Sequence, residues 1–159
     1  MAKPARVDNP RRAASIGGFS YVDLFRAGRN EHIRRIRAGL SAADAKQILS
    51  ALALPQGVAL RALKLSPATV NRKVARQQSL APQETERILG VAKLVGQVQA
   101  MVEESGDPEG FDAEKWLSEW LREPIPALSG QRPIDLVDTM EGQALVAETL
   151  ARMQSGAYA

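Results

Sequence analysis

Leu63-Lys64-Leu65-Ser66-Pro67-Ala68-Thr69-Val70-Asn71-Arg72-Lys73-Val74-Ala75-Arg76 is the stretch on which the reading of the whole chain turns. Ser66 is a favourable N-cap, because its hydroxyl can accept from an otherwise orphaned backbone N–H of the first turn. Pro67 follows at the first helical position, where its missing N–H removes no bond. Val70 and Val74 recur at i, i+4 and predict the inward face. At 3.6 residues per turn, Ala68, Thr69, Arg72 and Arg76 fall on the opposite face. A short helix with small residues near its start and cations outside suits a DNA major groove. A solvated basic helix on an ordinary α-domain shows the same pattern.

The segments on either side sharpen the first alternative. Gln56 to Leu65 predicts a short helix with Val58, Leu60 and Leu63 apolar, joined to the basic helix by almost no linker. Two short helices connected this tightly form a helix-turn-helix. Lys64 stands where a turn glycine is common, and Leu60 is bulky for a close crossing, so a rather open turn is expected. Downstream, Leu80-Ala81-Pro82-Gln83-Glu84 starts a longer helix. Ile88, Leu89, Val91, Ala92, Val95, Val98 and Val102 keep helical spacing through Glu104, as a core-spanning helix or a dimer seam does. Upstream, Ser41 with Asp44 resembles a capping box, with Ile48, Leu49 and Leu52 buried behind it. Asn30 is placed to cap a helix through Ile33 and Ile36. Residues 1–18 are basic, carry two prolines and lack an apolar period. They read as a basic flexible tail, or as an arm whose Lys3, Arg6, Arg11 and Arg12 touch a phosphate backbone.

Ala and Leu dominate, and β-branched runs are absent, so an all-α protein is expected. Of 159 residues none is cysteine, which removes disulfides and thiolate metal sites. No apolar run reaches the roughly 20 residues of a membrane span, and no apolar segment backs the basic N-terminus, so a cytoplasmic protein without membrane attachment is expected. Charge is unevenly spread. Residues 1–104 hold 17 Lys+Arg against 8 Asp+Glu, and residues 105–159 hold 4 against 10. The two parts thus carry +9 and −6, within a total of +3. A basic part followed by an acidic part points to a polyanion for the first and a protein surface for the second.

The change of sign falls at Ser105-Gly106-Asp107-Pro108-Glu109-Gly110, a breaker that marks either a domain boundary or a loop between packed helical layers. Beyond it, Asp112 is an N-cap, and Phe111 and Trp116 are placed for a hydrophobic staple. Trp116 and Trp120 share one face, for core packing or as an interface anchor. Pro124-Ile125-Pro126-Ala127-Leu128-Ser129-Gly130 predicts an extended connection, and Gln131 to Val137 a short helical turn. Thr139 caps a last helix carrying Leu145, Val146, Leu150 and Met153, and Gly156 ends it.

No catalytic constellation assembles. His32 is the only histidine and lies among arginines, so a surface role suits it better than general-base chemistry. There is no Ser-His-Asp or Cys-His set and no phosphate loop. The chain reads as a binder, not an enzyme, with no catalytic residues, no metal, no cofactor and no small-molecule substrate expected.

Residues 111–159 resemble the Xre/MbcA/ParS type II antitoxins, whose partners are RES-domain toxins. The resemblance rests on Ala113-Glu114-Lys115-Trp116-Leu117, Pro124-Ile125-Pro126-Ala127-Leu128-Ser129-Gly130, Arg132-Pro133-Ile134-Asp135-Leu136, Thr139-Met140-Glu141-Gly142, Val146 and Gly156-Ala157-Tyr158. The first half is similar to the Xre-type part of the same antitoxins through Leu63, Leu65 to Val70, Arg72-Lys73 and Leu80 to Leu89. It departs at Asn71-Arg72-Lys73, where many relatives carry Arg-Arg, and at Thr85, where many carry Ser.

The resemblance implies a helix-turn-helix DNA-binding and dimerisation region at residues 19–104 and a small helical toxin-binding domain at 111–159. The second would cover the active-site cleft of a cognate RES toxin that consumes NAD or ADP-ribosylates a target. The first would bind operator DNA, as a homodimer, and repress its own operon. The expected base contacts are Thr69 and Arg72, with Ala68 allowing close approach and Arg76 nearby, and the expected phosphate contacts are Arg61, Asn71 and Lys73. The expected toxin contacts are Leu150, Met153, Gly156 and Tyr158, with Trp120 and Arg132 as further candidates. A stand-alone transcriptional regulator with a C-terminal dimerisation domain is the alternative.

Overall fold

The computed structural model describes residues 18–156, apart from the side chain of Gln56. The expectations on the basic tail before Gly18 and on Tyr158 lie outside the described residues. The helices are α1 (Tyr21–Arg26), α2 (Arg29–Ala38), α3 (Ala42–Ala51), α4 (Gln56–Ala62), α5 (Pro67–Ala75), α6 (Pro82–Ser105), α7 (Ala113–Trp120) and α8 (Met140–Gln154). Two 3-10 turns, Pro126–Leu128 and Pro133–Asp135, link α7 to α8. Among the described residues there is no strand; Ser41 and Ser79 form an isolated bridge.

The central element is α6. Pro82 stands in its first turn, and Glu84 Oε1 accepts the Ala81 N–H at 3.0 Å. Ala81 offers no side-chain acceptor in return, so only the acidic half of a capping box is present. Ile88, Leu89, Val91, Ala92, Leu94, Val95 and Val98 are all buried, and α1, α2, α3, α7 and α8 pack against the helix. A helix apolar around most of its circumference packs as a core helix within the chain.

Close approach to α6 depends on small residues. A Cβ on Gly96 would run into the backbone carbonyl of Tyr21 at the start of α1, and one on Gly90 would occupy the space of the Gln143 amide. Gln143 Nε2 donates to the carbonyls of Arg87 and Val137, both at 2.9 Å, and Gln97 Nε2 donates to the Ala147 carbonyl at 2.8 Å. These amides fasten α8 along α6. On the other side, the Thr85 hydroxyl accepts the Leu40 N–H at 3.1 Å, and the Leu80 N–H donates to the Leu40 carbonyl at 2.8 Å. Thr85 is wholly buried, so its departure from the common Ser belongs to packing and not to DNA contact.

One contiguous hydrophobic cluster runs from Phe19 to Leu150. Helices on both sides of the breaker at residues 105–110 thus contribute to the same cluster, and Gly106 ends α6 at φ 91°. Three local expectations change. Asn30 lies inside α2, whose N-cap is Gly28. The Pro124–Gly130 link is not fully extended, since it folds through a 3-10 turn into Ser129 at φ 57°. His32 is half-buried and its Nε2 lies 2.6 Å from the Leu24 carbonyl, joining α2 to α1. The caps Ser41, Ser66, Asp112 and Thr139 each accept the expected backbone N–H three residues on.

Because the two atoms nearest the missing Cβ of Gly96 are Tyr21 backbone and cannot rotate away, Gly96→Ala is expected to cost about 1–3 kcal/mol through forced separation of α1 from α6. Urea unfolding followed by circular dichroism measures this, and an unchanged midpoint contradicts the close approach of the two helices.

Candidate functional site

The turn between α4 and α5 is built from Leu63, Lys64 and Leu65. Leu63 and Leu65 are buried, and Lys64 takes φ 54°, the left-handed conformation that a turn glycine adopts more readily. Arg87 Nη1 reaches the Leu63 and Lys64 carbonyls at 3.4 Å each and braces the turn. Ser66 Oγ accepts the Thr69 N–H at 3.3 Å and starts α5. Val70 is buried beneath, while Ala68, Asn71, Arg72, Ala75 and Arg76 are exposed.

This outer face is small at Ala68 and Ala75 and polar between them, so a backbone or base edge can approach it closely. Arg72 is exposed and, among the described residues, makes no ion pair. Its guanidinium is free for a bidentate contact to a guanine edge. Thr69 is half-buried, at the flank of the face and not at its centre. Asn71 Oδ1 accepts from Lys46 Nζ at 3.1 Å, leaving its amide N–H groups as donors. Lys46, on α3, thereby joins the face. Nothing in the linear spacing joins it to Asn71, because the two sit on different helices.

Lys73 is paired with an acid of the next helix. Its Nζ is 3.0 Å from Glu84 Oε1, with both side chains mostly shielded. Burial raises the Glu84 carboxyl, but hydrogen bonds from Lys73 and the Ala81 N–H and the charges of Lys73 and Arg87 outweigh it, holding the carboxyl below its ordinary range. Lys73 thus ties α5 to the start of α6, so the ammonium expected at a phosphate is already paired with Glu84. Arg61 is exposed and lines a groove that also receives Lys64, Arg122 and Arg132.

In the second half, Phe111 and Trp116 sit 6.4 Å apart, and Trp116 and Trp120 stack at 6.1 Å with a 10° interplanar angle. Trp120 is 8% exposed and Leu150 0%. Both stand among the expected toxin contacts, and in this chain their apolar surface is packed into the core. Met153, by contrast, is 39% exposed on the last turn of α8. It continues the stripe of Val146 and Leu150 beyond the point where the core ends. Gly156 follows, exposed, at φ 72°. Met140 and Leu145 are further exposed apolar side chains of α8. Among the described residues, no group of three His, Asp or Glu could hold a metal ion, and no helix is long and apolar enough to cross a membrane.

Residues 31–93 match the model of the antitoxin Xre-like helix-turn-helix domain, and residues 99–156 match that of the antitoxin Xre/MbcA/ParS C-terminal toxin-binding domain. The Prs ADP-ribosylating antitoxin of Sphingobium sp. (strain YBL2) is 54% identical over 141 residues, covering 89% of each chain. The chain belongs to the Xre/MbcA/ParS antitoxin family. The two matched segments meet within α6, the helix that both halves share.

Two substitutions on one helix separate recognition from stability. Arg72→Ala is expected to weaken binding to promoter DNA by about 1–3 kcal/mol with an unchanged melting temperature; unchanged affinity in a fluorescence titration contradicts the assignment. Lys73→Met strands a half-buried carboxylate and should cost about 1–3 kcal/mol of stability at neutral pH. Since the folded pKa of Glu84 is depressed, the pair's contribution is present above the unfolded value of about 4.3 and is lost as pH falls through the lower folded value. Urea melts across that acid range should show the wild-type advantage shrinking; a gap independent of pH contradicts the ion pair.

Proposed function

We propose that this chain is the antitoxin of a type II toxin–antitoxin pair that neutralises a RES-domain toxin by covering its active-site cleft, and that it represses its own operon through α5. The observation that carries this reading is the match of residues 99–156 to a toxin-binding domain whose last helix leaves Met153 and Gly156 uncovered by the core. An apolar side chain held at the end of a rigid helix is a suitable wedge for a cleft, because little conformational freedom is lost on docking. The name of the Sphingobium relative includes ADP-ribosylation. That favours a partner that transfers ADP-ribose over one that only hydrolyses NAD.

Repression is supported by the exposed face of Ala68, Asn71, Arg72 and Arg76. A homodimer would place two such faces on half-sites about one helical turn of DNA apart. The toxin would meet the other end of the molecule, so the chain could hold DNA and toxin together.

Co-expression with the adjacent reading frame tests the neutralising role. A chain ending before Met153 is expected to keep DNA binding and to fail to restore growth or NAD levels in cells making the toxin. Full rescue by that truncation contradicts the assignment of the last turn.

A further inference from the structure

Arg61 and Lys64 of the helix-turn-helix half and Arg122 and Arg132 of the C-terminal half converge on one groove of about 460 Å³, with Asp135 and Asp138 also on its wall. The halves therefore meet across a basic lining, although the second half is acidic as a whole. Four cations stand against two carboxylates. One ion pair is closed: Arg132 Nε and Nη2 donate to Asp135 Oδ2 and Oδ1 at 2.9 and 3.0 Å. Arg122 commits its Nε to the Ser118 carbonyl at 3.1 Å, which fixes the stem and leaves the outer guanidinium nitrogens as donors. Arg61 and Lys64 are exposed and, among the described residues, form no ion pair.

The backbone at Lys64 points the same way. It holds a long cationic side chain at φ 54°, a position where glycine costs least. The three unpaired cations come from separate elements: α4, the turn after it and the turn after α7. A planar carboxylate presents two oxygens in one plane, whereas a tetrahedral phosphate presents oxygens in several directions and can meet cations arriving from different sides.

We propose that this groove binds a phosphate group, and that the DNA backbone is its source. Lys64 stands two residues before the cap of α5, so the groove adjoins the recognition helix. The C-terminal half would then add Arg122, and Arg132 behind its aspartate, to the DNA contact. The phosphate chemistry rests on the groove itself; the DNA source rests on the operon-repressor reading above.

Two arms separate the sources, both on the full chain. In the first, binding to a duplex from its own promoter is followed by fluorescence anisotropy over a range of salt concentrations. The double variant Lys64→Gln/Arg122→Gln is expected to flatten the log–log salt slope by about 0.9 for each phosphate it no longer neutralises. Lys64→Arg/Arg122→Lys, which keeps both charges, is expected to retain the slope and shows that the missing charge, not a failure to fold, is responsible. In the second, inorganic pyrophosphate is titrated and backbone amide shifts are followed by NMR. Saturable shifts at residues 61–64, 122 and 132 that vanish in the Gln variant support the groove even if the DNA slope is unchanged, and assign it to a free phosphate ligand. If the wild-type chain does not bind the duplex at all, the repressor reading fails and the pyrophosphate arm alone decides the groove. An unchanged salt slope together with no saturable shifts overturns the proposal.

Discussion

Everything in this fold depends on how closely other helices can approach α6. The helix is apolar on nearly all sides, so it is stable only when surrounded. Gly96 lets the start of α1 press its backbone against the helix, and Gly90 makes room for the Gln143 amide from α8. The two glutamine amides, from Gln97 and Gln143, then convert close packing into fixed register by bonding to backbone carbonyls across the α6–α8 contact. An amide buried without these partners would cost about 1–3 kcal/mol, so the register is specified and not only permitted. The two matched antitoxin segments are welded through this helix into one packed body.

That weld has a functional consequence. The second helix of the helix-turn-helix, α5, is anchored to the start of α6 by Lys73 and Glu84, while the last turn of α8 lies near its far end, where Gln154 Nε2 donates to Glu104 at 2.7 Å. A rigid rod of about 1.5 Å per residue separates the two. Contacts made at one end therefore do not compete for surface with contacts made at the other. The basic groove around Lys64 and Arg122 is the exception, because there the two halves share a surface.

Much of the local structure is legible in the sequence. Ser41, Ser66, Asp112 and Thr139 announce helix starts because a short hydroxyl or carboxylate side chain can satisfy only a nearby orphan N–H. The staple of Phe111 on Trp116 is local for the same reason; the left-handed conformation of Lys64 is not, because a lysine in place of the turn glycine reads as a more open turn. Assignments that depend on distant partners are not legible. Period places Leu150 and Trp120 on an apolar face, but the same face serves a core or an interface, and only the fold shows that both are buried in this chain. Lys73 reads as a free cation until α6 brings Glu84 beside it. Lys46 and Asn71, and Arg61 with Arg132, meet only through the tertiary fold. The family resemblance in the sequence supplies what spacing does not, by identifying the two matched segments as parts of one antitoxin.

On this account α6 joins both halves into a single cooperative unit, and native-state hydrogen exchange tests that most directly. The slowest amides of α3, α6 and α8 are expected to exchange with one common opening free energy, equal to that of global unfolding, and to fall together when Gln143 is changed to Ala. A C-terminal region whose α7 and α8 amides open at a distinctly lower free energy, while those of α3 and the first half of α6 remain protected, would show two independent domains and contradict it.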